Sequence, residues 1–359
     1  MIFRVPTIKL MKGHRVTSKV LPGTRAVVEK SAANPARLSS IRYVALKVLS
    51  ALPMLLGVIV VNFVLIHLAP GDPVSVLVGE TEPSPEQLAE LYQKLGLDKS
   101  VGRQFLEYVG SILRGDLGYS YVLQNDVLGL ILNRVPATLS LMLTSLIIFT
   151  VVGVLLAIIV ARHPKSLIDR GGSALAVIGY SVPAFWLAQI ILLVFALQLR
   201  WFPTNGMTNS RYAYEGWAYF TDVLHHLILP ASVLGMRYLA INFRYARAAM
   251  RDALSQDYIV AARAKGLPEK RIVFHAFRNG ILPVITVFGL NVTDILAGSI
   301  LTEIVFGWPG IGRLMYDAMY ARDYPLLMGI FIFVSIGIII TNLLIDIVYS
   351  LFDPRVRLK

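Results

Sequence analysis

Apolar runs of membrane length alternate with polar connections along this chain. Six runs are long enough to cross ~30 Å of hydrocarbon: residues 46–69, 136–161, 173–199, 227–243, 281–301 and 326–352. The fourth is the most interrupted, because it contains Pro230, Arg237 and Asn242. The polar stretch 252–283 separates the fourth run from the fifth and reads as a helix, a break and a second helix. Asp257 is placed to cap the first of these helices, and Ala261, Ala262 and Ala264 are strong helix formers. Gly266 suits the left-handed residue that ends a helix. Pro268 fits the first turn of the next helix, and Glu269 favours its positive end. Asn279-Gly280 breaks that helix, and Pro283 falls in the first turn of the following run.

Composition agrees with the pattern. Of 359 residues, 56% are hydrophobic and only 16% are charged, which marks a polytopic membrane protein. The net charge of +12 would suit nucleic acid, but its distribution points elsewhere. Of the 34 Lys and Arg residues, 24 fall in the N-terminal segment, the loops 162–172 and 244–280, and the tail. Nine fall in the three other connections, and the last is Arg237. This asymmetry places both termini and the 244–280 loop in the cytoplasm, with the basic residues near anionic lipid. With no cysteine, the chain has no disulfide, thiolate metal site or Cys nucleophile.

The resulting layout is a basic extension over 1–45, a first span over 46–69, an external segment over 70–135, a core over 136–352 and a tail over 353–359. The external segment carries its own helix, with Ser84 as cap and Pro85 in the first turn ahead of Glu86 to Leu95. It reads either as a cap packed on the helix bundle or as a module that receives an external protein. Within the third span, Pro183 predicts a kink whose freed carbonyl needs a neighbour. His225 and His226 are adjacent, so they do not face one metal on a helix.

Several short stretches carry a resemblance. Val260-Ala261-Ala262 with Gly266 is similar to the cytoplasmic "EAA" loop of ABC-importer permeases, although its Glu is absent here and Ile281-Leu282-Pro283 lies further from the glycine. Pro70-Gly71-Asp72-Pro73, Gly115-Asp116-Leu117-Gly118-Tyr119-Ser120 and Ser181-Val182-Pro183-Ala184-Phe185-Trp186 resemble stretches of the dipeptide/oligopeptide/nickel branch. So do Phe202 to Gly206 in changed form, Glu303 to Gly312, Arg322-Asp323-Tyr324-Pro325 and Asp353-Pro354-Arg355-Val356-Arg357. The chain resembles the first, B-type permease subunit of peptide importers over residues 45–357.

That resemblance implies an all-α fold of the type I importer kind, in a bacterial inner membrane. It also implies a homologous second permease, two ABC ATPases and an external substrate-binding protein. The loop residues Asp257, Ala261, Ala262, Arg263, Lys265, Gly266 and Leu267 would dock on an ATPase. The chain has no Walker phosphate loop and no zinc-protease or serine-hydrolase motif, so no ATP site, catalytic residue or metal site is expected in it. ATP and Mg would sit on the partner ATPases. Nickel or another small solute is an alternative cargo, and a stand-alone secondary transporter or channel is an alternative class. At about 1.5 Å per residue, Arg237 and Asp294 come near the membrane midplane. Both are expected to face the bundle interior, paired or lining the pathway, the other option being the partner permease.

Overall fold

The structure, a computed structural model, describes residues 35–68, 84–94, 98–212 and 214–352. The extension up to residue 34, the Pro70-Gly71-Asp72-Pro73 exit and the tail from 353 lie outside the described residues. Helix α1, Pro35–Leu68, contains the apolar stretch Leu49–Leu65 and lies against the last helix, α13 (Tyr324–Phe352).

The described part of the 70–135 segment folds as two short, largely exposed helices and a two-residue ladder. Helix α2 is Pro85–Lys94, and Ser84 and Gln87 close a reciprocal capping pair at its start, with the Gln87 N–H donating to Ser84 Oγ at 3.3 Å and the Ser84 N–H to Gln87 Oε1 at 3.0 Å. Helix α3, Val101–Leu113, settles on the end of α1, where Phe63 meets the ring of Phe105 edge-on at 5.2 Å. A two-residue antiparallel ladder follows, β1 (Tyr119–Ser120) with β2 (Asn125–Asp126). Asp126 then caps helix α4, Val127–Ala161, by accepting the Gly129 N–H at 2.8 Å.

The expected third span is not a kinked rod. Helix α5, Leu167–Ser181, and helix α6, Ala184–Ile191, continued by a wide π-helical stretch Leu192–Gln198, meet at an angle of 105°. Pro183 forces the residue before it out of the helical region, and Val182 is extended at φ −75°, ψ 127°. The break is full because two residues, not one, leave the helix.

The run that reads as most interrupted forms the longest helix among the described residues. Helix α7, Gly216–Leu254, has 39 residues and passes through Pro230 without stopping. At about 1.5 Å per residue it exceeds the membrane thickness by a wide margin, so its end projects beyond the bilayer. It packs most extensively on α4. Leu227, Leu234 and Tyr238 of α7 join Leu141 and Leu146 of α4 and the buried Trp308 in one core cluster.

After the short helices α8 (Asp257–Ala264) and α9 (Glu269–Gly280), the chain re-enters as α10 (Leu282–Gly298), bent 52° from α9. The expected fifth span ends at Gly298, and α11 (Ile300–Val305) and α12 (Ile311–Tyr320) lead into α13. Among the described residues three helices are long and apolar enough to cross a membrane, or up to five if each bent pair counts as one span.

Candidate functional site

The helical elbow after α7 is built from local signals. Helix α8 ends in a Schellman motif around Gly266, which takes φ +72°. The Leu267 N–H reaches the Ala262 carbonyl at 3.2 Å, and the Gly266 N–H reaches that of Arg263 at 2.9 Å. Open space surrounds the Gly266 Cα, so glycine is demanded by the backbone angle and not by crowding. One local expectation fails. Gln256, not Asp257, occupies the cap position, with no side-chain cap bond, and Asp257 is the first helical residue. Asp257 therefore acts through its charge at the positive helix end and not as a hydrogen-bonding cap.

The elbow is fastened to the main bundle on its inner side. Ile259 of α8 and Ile272 and Ala276 of α9 pack with Ala161 of α4 and with Met250 and Ala253 of α7. Ala262 and Leu267 lean against this cluster. A methyl group at Gly280 would stand 3.1 Å from the Ala249 carbonyl, so α9 leaves α7 at close range. The outer side is open. Ala261, Arg263, Lys265 and Gly266 are exposed, and an exposed Arg263–Glu269 pair at 3.2 Å links the two helices. Val260 and Phe274 are 62% and 63% exposed, an apolar offering on a polar surface.

Next to the elbow, Asp169 at the start of α5 is buried between elements. Its carboxylate accepts Arg247 Nε at 2.6 Å, the Lys165 N–H at 2.9 Å and an Arg251 nitrogen at 3.5 Å. This group precedes the apolar run beginning at residue 173. Burial works to raise its pKa, but the Lys165 N–H and the two guanidinium groups outweigh burial and hold the carboxyl below its usual range. Neither Asp169 nor Arg247 stood out in the sequence.

At the opposite end two carboxylates organise the connections around α11, α12 and α13. Glu303 of α11 is fully buried. It accepts the Gly312 N–H at 2.7 Å and the Arg313 N–H at 3.1 Å, and so caps α12 from outside that helix. The Thr138 hydroxyl of α4 donates to its other oxygen at 3.0 Å and accepts the Ile311 N–H at 2.8 Å. Burial pushes the Glu303 carboxyl above its usual range, and these donors offset part of the effect. Asp323 accepts the Leu326 N–H at the start of α13 and the hydroxyl of Ser120. Two stretches about 200 residues apart in the chain therefore meet in one buried contact.

The intramembrane expectations fare differently. Arg237 does not face the interior of this chain's bundle but lies on the exposed side of α7. The inward face is already occupied by Leu234, Tyr238 and Asn242, spaced four apart. Asp294 stands on α10, and its side chain lies outside the described residues. His225 pairs with the Trp201 carbonyl at 2.9 Å and His226 with the Asp222 carbonyl at 2.8 Å, so each ring has its own local partner.

Membrane-length helices around shared apolar clusters, with an exposed helical elbow at one end, describe a polytopic membrane protein. Comparison with known proteins gives the particular family. The family model described as "Binding-protein-dependent transport system inner membrane component" matches residues 153–358, and that of its N-terminal region matches residues 40–142. The di/tripeptide transport system permease protein DppB of Pseudomonas aeruginosa is 41% identical, over 85% of this chain and 96% of its own. The oligopeptide transport system permease protein AppB of Bacillus subtilis is 38% identical, over 88% of this chain and 99% of its own. The dipeptide transport system permease protein DppB of Escherichia coli K12 is 38% identical, over 86% and 96%. A solved inward-facing structure of the MetNI methionine ABC transporter aligns at TM-score 0.48 and 16% identity, over 64% of this chain and 97% of that one. The chain belongs to the family of binding-protein-dependent transport system inner membrane components. It is a multi-pass inner-membrane permease subunit of an ABC transporter.

Proposed function

We propose that this chain is the translocation subunit of an ATP-driven importer of di- and oligopeptides. The observation that carries the cargo is its 38–41% identity, over most of its length, to permeases named for di/tripeptide, oligopeptide and dipeptide transport. In this reading a homologous second permease completes the pathway, two ABC ATPases bind and hydrolyse MgATP beneath it, and an external binding protein delivers the peptide. The chain itself holds no cofactor, metal or catalytic residue. It crosses the membrane six times with both termini in the cytoplasm, as the distribution of Lys and Arg supports.

The elbow is the ATPase contact. A short helix whose inner side is fixed and whose outer side shows Val260 beside exposed Ala261, Arg263 and Lys265 suits a groove on a moving partner. Closure of the ATPases would draw the elbow and α7 along as one body. Arg237 and Asp294 belong to the pathway or to the permease–permease contact. A cysteine at 294 that no aqueous reagent reaches in any nucleotide state would remove that residue from the pathway.

The deciding experiment is uptake of a labelled dipeptide and a labelled longer peptide by cells with and without this chain, in a strain lacking other peptide importers. Uptake of either peptide that requires the chain supports the assignment. Uptake of both that is indifferent to the chain overturns it and makes nickel the next cargo to test.

A further inference from the structure

We propose that the ion cluster of Asp169 with Arg247 and Arg251 is the strut that makes the broken α5–α6 segment move with the elbow. The proposal rests on the reading of the elbow as the ATPase contact. Three observations lead to it. The lower end of α7 and the elbow form one packed block, through Met250 and Ala253 of α7 against Ile272 and Ala276 of α9. Arg247 and Arg251, four residues apart on that same end of α7, both reach Asp169. Asp169 is itself fixed within α5, where its N–H donates to Ser166 Oγ at 3.2 Å and its carboxylate takes the Lys165 N–H.

Above the cluster, α5 lies close along α7. A methyl group at Gly172 would stand 3.2 Å from the Phe243 ring, and one at Gly179 would stand 3.0 Å from Met236. Such smooth apolar contacts resist separation but oppose sliding and rotation only weakly. A carboxylate held by two guanidinium groups and a backbone N–H fixes register and rotation together, because any slip strands a buried charge. At its other end α5 stops at the 105° break, so a displacement entering at Asp169 is delivered to Val182 and Pro183, at the base of α6. Asp169 is thus a positioning residue, acting on the pathway through α5 and not by touching cargo.

The test uses the whole transporter, both permeases with their ATPases and binding protein, in proteoliposomes with a labelled dipeptide. Peptide delivered per ATP hydrolysed is measured for Asp169→Asn, Asp169→Glu and the milder Arg251→Gln. A purely structural residue would change the amount of assembled complex and leave this ratio alone. The strut predicts that assembled Asp169→Asn transporter still hydrolyses ATP while the ratio falls about tenfold, with a smaller fall of the same sign in Arg251→Gln and partial recovery in Asp169→Glu. A wild-type ratio in Arg251→Gln and in every assembled Asp169 variant overturns the proposal, as does an equal loss of hydrolysis and uptake. Gly266→Val is run beside them to examine the elbow by itself. Unchanged hydrolysis and uptake in that variant count against the elbow reading and leave the Asp169 ratios to be judged on their own.

Discussion

The end of this permease that carries Glu303 and Asp323 and the elbow at the opposite end are shaped by different means. At the first, two buried carboxylates close helix starts and tie them to distant parts of the chain. Glu303 holds α12 and ties it to α4, and Asp323 holds α13 and ties it to β1. In the elbow, backbone geometry sets the turn, one apolar cluster pins the inner side, and the outer side is left exposed. One arrangement cannot shift without stranding polar groups in an apolar interior. The elbow turn is closed by its own backbone bonds and takes no carboxylate from a distant part of the chain. The proposed function asks for both a rigid frame and a handle, and the chemistry of the two ends fits that division.

The division is testable by comparing losses of fold with losses of transport. The largest effect on folding is expected from Glu303→Ala. It orphans two backbone N–H groups and the Thr138 hydroxyl and costs on the order of 3 kcal/mol, seen as a lower midpoint in detergent thermal unfolding. A wild-type midpoint would remove Glu303 from the frame. Gly310→Ala comes next, at about 1–3 kcal/mol by the same measurement, because its methyl group would collide with the Glu303 carboxylate. Suppression of the Gly310→Ala defect by shortening Glu303 to Asp would sharpen the assignment of that collision.

Gly266→Val should cost less stability, about 1–2 kcal/mol confined to the elbow, since φ +72° is unfavourable for a β-branched residue but no neighbour is struck. Peptide uptake should nevertheless collapse. Val260→Lys goes further in the same direction, with stability within about 0.5 kcal/mol of wild type and uptake strongly reduced. If either elbow variant unfolds the protein as Glu303→Ala does, the contrast between frame and handle fails. The smallest effect is expected for Glu107→Gln on α3. Its pair with Lys99 at 2.8 Å is solvent-exposed, so the change should stay below about 0.5 kcal/mol.

What could be read from the sequence follows the range of the interaction. The helix–break–helix of the elbow, its left-handed Gly266 and the Ser84 cap were all legible, because each depends on residues within one or two turns. The 105° turn at Val182 and Pro183 was legible only as a kink. A proline announces the lost hydrogen bond, but the angle depends on what the two halves pack against. The interrupted fourth run does give the least apolar of the three membrane-length helices among the described residues, yet the helix itself is unbroken. Pro230, Arg237 and Asn242 lower its local apolar score, while packing along α4 keeps the helix continuous. The strut at Asp169 was hidden because a single carboxylate in a basic loop has no pattern, and its partners lie 78 and 82 residues away.

By itself the sequence determined the class of this protein, its apolar runs and its family. Membrane-length hydrophobicity, charge asymmetry and short motifs are properties of neighbouring residues and survive without a fold. The tertiary structure decided which carboxylates matter, which face of α7 is free and which side of the elbow is exposed. Those are set by which distant residues share a dry interior, where each buried charge must find a partner and each buried donor an acceptor.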